Sequence, residues 1–400
     1  MSKVFRTWRF TPPPNPLPAM GGGIALVLAA LLLMTSATAQ APQTVNDRAI
    51  LAERPPALLS EYRLFRDASA RTPNGRVTPY QLNTALYSDG ALKFRYVYIP
   101  QGAQAQYNAE GVFEFPVGTV LVKTFAYAAD MRTPTENVRF IETRLLIRRA
   151  DGWVAYPYVW NEAQTEARYS PIGADVPVSF TDDGGEVIAL DWAVPNRNQC
   201  KACHDRDGEL TPIGPSARNL NRDSPLPFGI DDEFFETGHL HSTNQIFAWT
   251  NAGLLSGAPD EPPTHPLDNR QPTAPRVPDA YDITAPVTDR ARAYLDVNCA
   301  HCHNPLGPGH TSGLDLSWSQ TDPALWGVLK RPVAAGRASG GFEFAIEPGH
   351  PERSILVHRM QSTDPGVMMP ELGRQLVDER GVELMREWIA AMNRDGRTAR

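Results

Sequence analysis

Apolar and polar positions alternate through much of residues 80–192, in short runs rich in Val, Tyr, Phe and Thr that Gly, Asp, Asn and Pro separate. Runs of this composition between breakers predict strands at 92–98, 119–125, 140–147 and 153–160, with two more at 176–180 and 187–190. Ala150-Asp151-Gly152 reads as the hairpin turn between two of them. The assembly this predicts is an antiparallel β-sandwich over residues 80–195, its aromatics in the core or in cross-strand pairs. Residues 40–79 are mixed and Pro-containing, with one short helix around 58–65, and read as an N-terminal arm packed on that sheet.

Downstream the period changes to that of a helix. A helix is predicted over 243–252, where Ser242 and Gln245 form a capping box, Ile246 and Phe247 begin an apolar face and Gly253 ends it. Thr288 caps a second helix with Ala291, Tyr294 and Leu295 on one face. A last one spans 378–393, with Val382, Met385, Trp388, Ile389 and Met392 in a stripe. Eight prolines fall in the 28 residues 259–286, far above ordinary usage, which predicts a stiff linker.

The beginning of the chain changes the picture. Lys3, Arg6 and Arg9 precede an apolar run over 21–34, and Ala37-Thr38-Ala39 offers small residues for cleavage before Gln40, so residues 1–39 read as a secretory signal and the destination as the periplasm. The apolar run is short for a membrane span, and membrane attachment is expected only if the signal stays uncleaved. Loss of residues 1–39 removes three positive charges and takes the formal net charge from -7 to -10, a poor balance for a nucleic-acid partner.

All four cysteines belong to two copies of one motif, Cys200-Lys201-Ala202-Cys203-His204 and Cys299-Ala300-His301-Cys302-His303. Cys-x-x-Cys-His is the attachment site of a c-type haem, in which both thiols form thioethers to the ring and the adjacent histidine ligates iron. His204 and His303 are therefore the expected proximal ligands of two covalently attached haems. Two Cys-x-x-Cys knuckles can also close a four-thiolate zinc site, but that leaves both trailing histidines without a role and needs no export. For the second haem, Met369 lies on a loop between Pro365-Gly366 and Pro370 and is the expected distal ligand, with Met368 next; Met360 and Met385 sit on helical patterns and read as core. No methionine lies between Met131 and Met360, so the first haem has no local Met loop. Its distal ligand is left open among His239, His241, Met131 and none.

Phe115-Pro116-Val117-Gly118-Thr119-Val120-Leu121-Val122-Lys123-Thr124-Phe125, Ile141-Glu142-Thr143-Arg144-Leu145-Leu146, Pro157-Tyr158-Val159-Trp160-Asn161-Glu162, Gly214-Pro215 with Leu220-Asn221-Arg222-Asp223, and Met369-Pro370-Glu371-Leu372-Gly373 together carry a resemblance. In these stretches the chain resembles exported bacterial dihaem c-type cytochromes that join an N-terminal β domain to two Cys-x-x-Cys-His modules. The expected fold is multidomain α+β: signal 1–39, arm 40–79, β-sandwich 80–195, first haem module 196–258, linker 259–286 and a class I cytochrome c domain 287–400. Both haem modules are expected to be mainly α-helical. The resemblance implies electron transfer with periplasmic redox partners such as other cytochromes, an oxidase or a dehydrogenase. Two other readings stand beside it: a dihaem peroxidase-type oxidoreductase with an open distal site at the His204 haem, and a ligand-binding β domain whose haems dispose of electrons.

Overall fold

In a computed structural model, residues 44–224, 243–259 and 274–398 are described. Strands β1 (Val77–Pro79), β2 (Leu92–Tyr98), β3 (Ala105–Gln106), β4 (Val120–Ala128), β5 (Val138–Arg149), β6 (Gly152–Trp160), β7 (Ala167–Tyr169), β8 (Ala174–Thr181) and β9 (Val187–Val194) follow one another. Six of them form one antiparallel sheet in the order β1-β2-β4-β5-β6-β7, while β8 and β9 pair as a separate ribbon and β3 pairs in parallel with Leu255–Ser256. The turn at 150–152 does join β5 to β6, with Gly152 at φ 128°.

The two faces of the sheet meet different partners because side chains alternate along each strand. On one face Tyr98, Val120, Val122, Leu145 and Tyr158 pack against the arm residues Ile50, Leu59, Tyr62 and Leu64. The Tyr158 and Tyr62 hydroxyls lie 3.0 Å apart, with their rings edge to face at 5.9 Å. On the other face one end of the sheet, Phe125 and Ile141, meets Phe180, Trp192 and Val194 of the ribbon. The opposite end, Val97 and Leu121, meets Leu220, Ile246 and Trp249 from beyond the first Cys-x-x-Cys-His copy. Between those two apolar patches the face is polar.

The expected pair of mainly helical haem modules is not found. The structure is mostly β, and the eight α-helices among the described residues run from four to twelve residues: α1 (Asp47–Ile50), α2 (Gln199–His204), α3 (Ala217–Leu220), α4 (Gln245–Asn251), α5 (Val287–Asn298), α6 (Pro323–Trp326), α7 (Ile355–Gln361) and α8 (Glu379–Ala390). Nor do the strands divide into two comparable sheets of a sandwich, since one large sheet takes six of them. The physical reasons are local. Positive-φ glycines end the short helical turns, at Gly313 (φ 65°), Gly327 (φ 108°) and Gly340 (φ 61°). The segment carrying the first motif buries α3 and α4 on the sheet rather than in a core of its own. Residues 43–400 accordingly form one unit. Around the second motif, α5, α7 and α8 do share a core, built on Leu295, Val357, Met385, Trp388 and Ile389.

Candidate functional site

Each Cys-x-x-Cys-His copy is folded on its own backbone. The first occupies α2, where Cys200 lies 3.6 Å from the Asn196 carbonyl. The second begins at the C-cap of α5, where the Cys302 and His303 amides both donate to the Cys299 carbonyl at 3.1 and 2.9 Å. The chain then wraps closely around it. A Cβ on Gly307 would stand 2.4 Å from the Cys302 carbonyl oxygen, so that position needs glycine, and one on Gly309 would stand 3.0 Å from the His303 ring, a tight contact that would press on it.

The two imidazoles are fixed in the same way. His204 Nδ1 lies 2.8 Å from the Thr211 carbonyl, which can only accept, so Nδ1 carries the proton and Nε2 is left as the free electron pair. His303 Nδ1 lies 2.9 Å from the Ser312 hydroxyl, which donates onward to the Gly309 carbonyl at 2.7 Å and so accepts from the ring. Burial pushes both histidines down to about 4, which keeps them neutral and able to ligate. An acceptor behind Nδ1 is the usual arrangement of a metal-bound histidine.

The motifs meet each other, although they stand 99 residues apart in sequence. Cys302 Sγ is 3.5 Å from the Ala202 carbonyl, and the Asp207 amide donates to the Leu306 carbonyl at 3.0 Å. Ligand atoms of Cys203, His301 and Cys302 all lie within 4.8 Å of one another. The Cys302 thiol shares its proton with Cys203, which holds Cys203 well below the ordinary thiol range and drives Cys302 above it. Burial raises Cys299 to about 12 and also raises Cys200. Cys200 and Cys299 stand outside this cluster, so the four sulfurs do not close a tetrahedral thiolate site. None of the four is in a disulfide.

A cavity of about 360 Å³ opens beside the first motif, lined by Cys200, Cys203 and His204 together with Met369, Met360 and His301. Met369 is half-buried there, whereas Met368 is buried and does not line the cavity. Arg374 holds the Met369 loop by donating to the carbonyls of Met369 at 3.0 Å and Met360 at 3.1 Å. Met131 packs instead against the cluster that contains Trp192, with its amide on the Thr181 carbonyl at 2.8 Å. His239, His241 and the signal residues 1–39 lie outside the described residues. Among the described residues no helix is long and apolar enough to cross a membrane.

The polar middle of the sheet face forms another wall of this cavity, and the sequence analysis did not single it out. Arg95 on β2 stands opposite Lys123 on β4, which stands opposite Arg144 on β5. All three line the cavity. Glu142 pairs with Arg144 and accepts from Trp192 Nε1 at 3.1 Å. Like charges directly opposite each other on neighbouring strands are unfavourable by about 0.2–1 kcal/mol per pair. Burial, then Arg95, Lys93 and Arg144, pushes Lys123 well below the usual lysine range, and burial followed by Arg95 brings Lys93 down to about 7. The available signal was a charged residue at alternate positions of strands that are otherwise apolar. Comparison of the chain with family models, with curated proteins and with solved structures finds no match to any of them.

Proposed function

We propose that this chain is an exported dihaem c-type cytochrome working in electron transfer. In this reading Cys200 and Cys203 hold one haem with His204 as its proximal ligand, and Cys299 and Cys302 hold the second with His303. Met369 was expected at the second haem, but it lines the cavity beside Cys200, Cys203 and His204, so it would be a thioether ligand available to the first. The observation that carries the proposal is the matched pair of imidazoles, each next to two thiols outside any disulfide and each presenting Nε2 with Nδ1 tied to an oxygen. The haems supply one-electron chemistry when bound.

The rest is done by the protein. The Thr211 carbonyl and the Ser312 hydroxyl fix the tautomer and tilt of the two rings. Gly307 and Gly309 let the backbone close over the second motif. Contact between Cys203 and Cys302 makes the two sites neighbours, which suits passing electrons from one to the other and on to periplasmic partners.

Electron paramagnetic resonance of the oxidised full-length protein tests the reading. Two low-spin ferric signals are expected for a relay, and Met369→Leu is expected to abolish a near-infrared sulfur-to-iron band and lower one midpoint potential. A persistent high-spin signal with rapid peroxide turnover contradicts it and favours the peroxidase-type alternative, in which the His204 site keeps an open distal position.

A further inference from the structure

Of the row Arg95–Lys123–Arg144, among the described residues only Arg144 forms an ion pair, with Glu142, although Asp89, Asp296, Glu371 and Asp378 also line the cavity. Glu142 is fully buried and already shared by Arg144 and Trp192. Its second oxygen, Oε2, and Arg144 Nε are both buried without a partner. Among the described residues the Arg95 side chain finds only a backbone carbonyl, that of Lys93 at 3.5 Å, and Lys123 and Arg144 crowd the face of Phe125 at 4.6 and 4.5 Å. An arginine cannot shed its proton to relieve the strain, so the two guanidinium groups stay charged whatever Lys123 does. Buried cations are ordinarily paired. Here three half-buried cations come from adjacent strands, are fixed by the register of a six-stranded sheet and face one cavity, and among the described residues only Arg144 has an ion pair, with Glu142.

We infer that Arg95, Lys123 and Arg144 form an anion subsite of the cavity, whose occupant presents carboxylates to it. Two parallel N–H donors on a guanidinium match a carboxylate's two oxygens, and Lys123 between the arginines supplies a point charge. Two sources share this chemistry: the propionate side chains of the haem held by Cys200, Cys203 and His204, or a small free carboxylate entering the cavity. The first source rests on the function proposed above; the subsite itself does not.

Full-length exported protein is compared with Arg95→Gln and Lys123→Gln, which keep hydrogen bonding and remove charge, and with Arg95→Lys and Lys123→Arg, which keep the charge. Midpoint potentials are measured in carboxylate-free buffer, and thermal unfolding is followed with added succinate. If the carboxylates belong to the haem, one potential falls in the glutamine variants, because a lost cation favours ferric iron; it returns in the charge-keeping variants, and succinate has no effect. If the carboxylate is free, succinate raises the wild-type unfolding temperature saturably, and the glutamine variants lose at least tenfold in affinity. Glutamine variants with both potentials unchanged, together with no response to succinate in any protein, overturn the subsite. A wild-type protein that carries no haem defeats the proposed function alone, and the succinate titration then decides the subsite. If the glutamine variants do not accumulate, Lys123→Met removes the charge in their place, and unchanged potentials in it together with no response of the wild type to succinate overturn the subsite.

Discussion

Ser312 is the clearest place to separate the two candidate haem sites one residue at a time. Its hydroxyl accepts from His303 Nδ1 and passes the hydrogen bond on to Gly309, which gives the ring partial imidazolate character and strengthens it as a donor to ferric iron. Ser312→Ala is expected to raise the midpoint potential of one haem and leave the other unchanged, since His204 is held by a backbone carbonyl that no side-chain change removes. Redox titration of the variant checks this; equal shifts in both haems, or none, contradict it. At this scale the sequence was legible wherever chemistry sits in a contiguous motif, as in Cys200 to His204 and Cys299 to His303. Met369 was separated from Met368 by its place before Pro370 and expected at the second motif; in the structure it lines the cavity beside the first. Arg95, Lys123 and Arg144 were not legible. The polar half of a strand's alternation is the half that normally faces solvent, and nothing local says that a cavity lies there instead.

At the scale of elements, the bidentate pair of Arg218 on α3 and Asp296 on α5 ties the segment after the first motif to the helix that leads into the second, at 2.8 and 3.0 Å. Asp296 is buried and also accepts from the Trp318 amide at 2.8 Å. Arg218→Ala leaves that carboxylate buried with one donor, and the expected loss is about 3 kcal/mol in urea unfolding, the lower end for breaking a buried pair. A loss under about 1 kcal/mol, the range of an exposed pair, contradicts the account. The strands themselves were legible. The one expected over 92–98 is Leu92–Tyr98, and those expected at 140–147 and 153–160 lie inside β5 and β6. Helices were legible by their apolar stripe, as at α8, whereas the cap read at Thr288 is not found: α5 already begins at Val287, and the Thr288 hydroxyl lies 2.6 Å from that of Thr398. For α4 the observed cap is Asn244, which accepts from the Ile246 amide at 3.0 Å, while Ser242 lies outside the described residues. Helical haem modules were the wrong inference because a Cys-x-x-Cys-His motif needs only a turn and a closing loop, and the large sheet, not a helical bundle, provides the face on which the segment after the first motif packs.

For the whole molecule, the apposition of Cys203, His301 and Cys302 is the feature that no local pattern carries. It depends on two turns 99 residues apart docking through backbone groups, Ala202 to Cys302 and Asp207 to Leu306, and periodicity says nothing about such pairings. The central claim is that both motifs serve as covalent haem sites side by side. Intact-mass analysis of the exported protein, with a parallel thiol titration under denaturing conditions, tests it most directly. The account expects a single species carrying the mass of two haems, its leader removed near Ala39, with no titratable thiol. A haem-free species with four titratable thiols, or stoichiometric zinc released on denaturation, would contradict it.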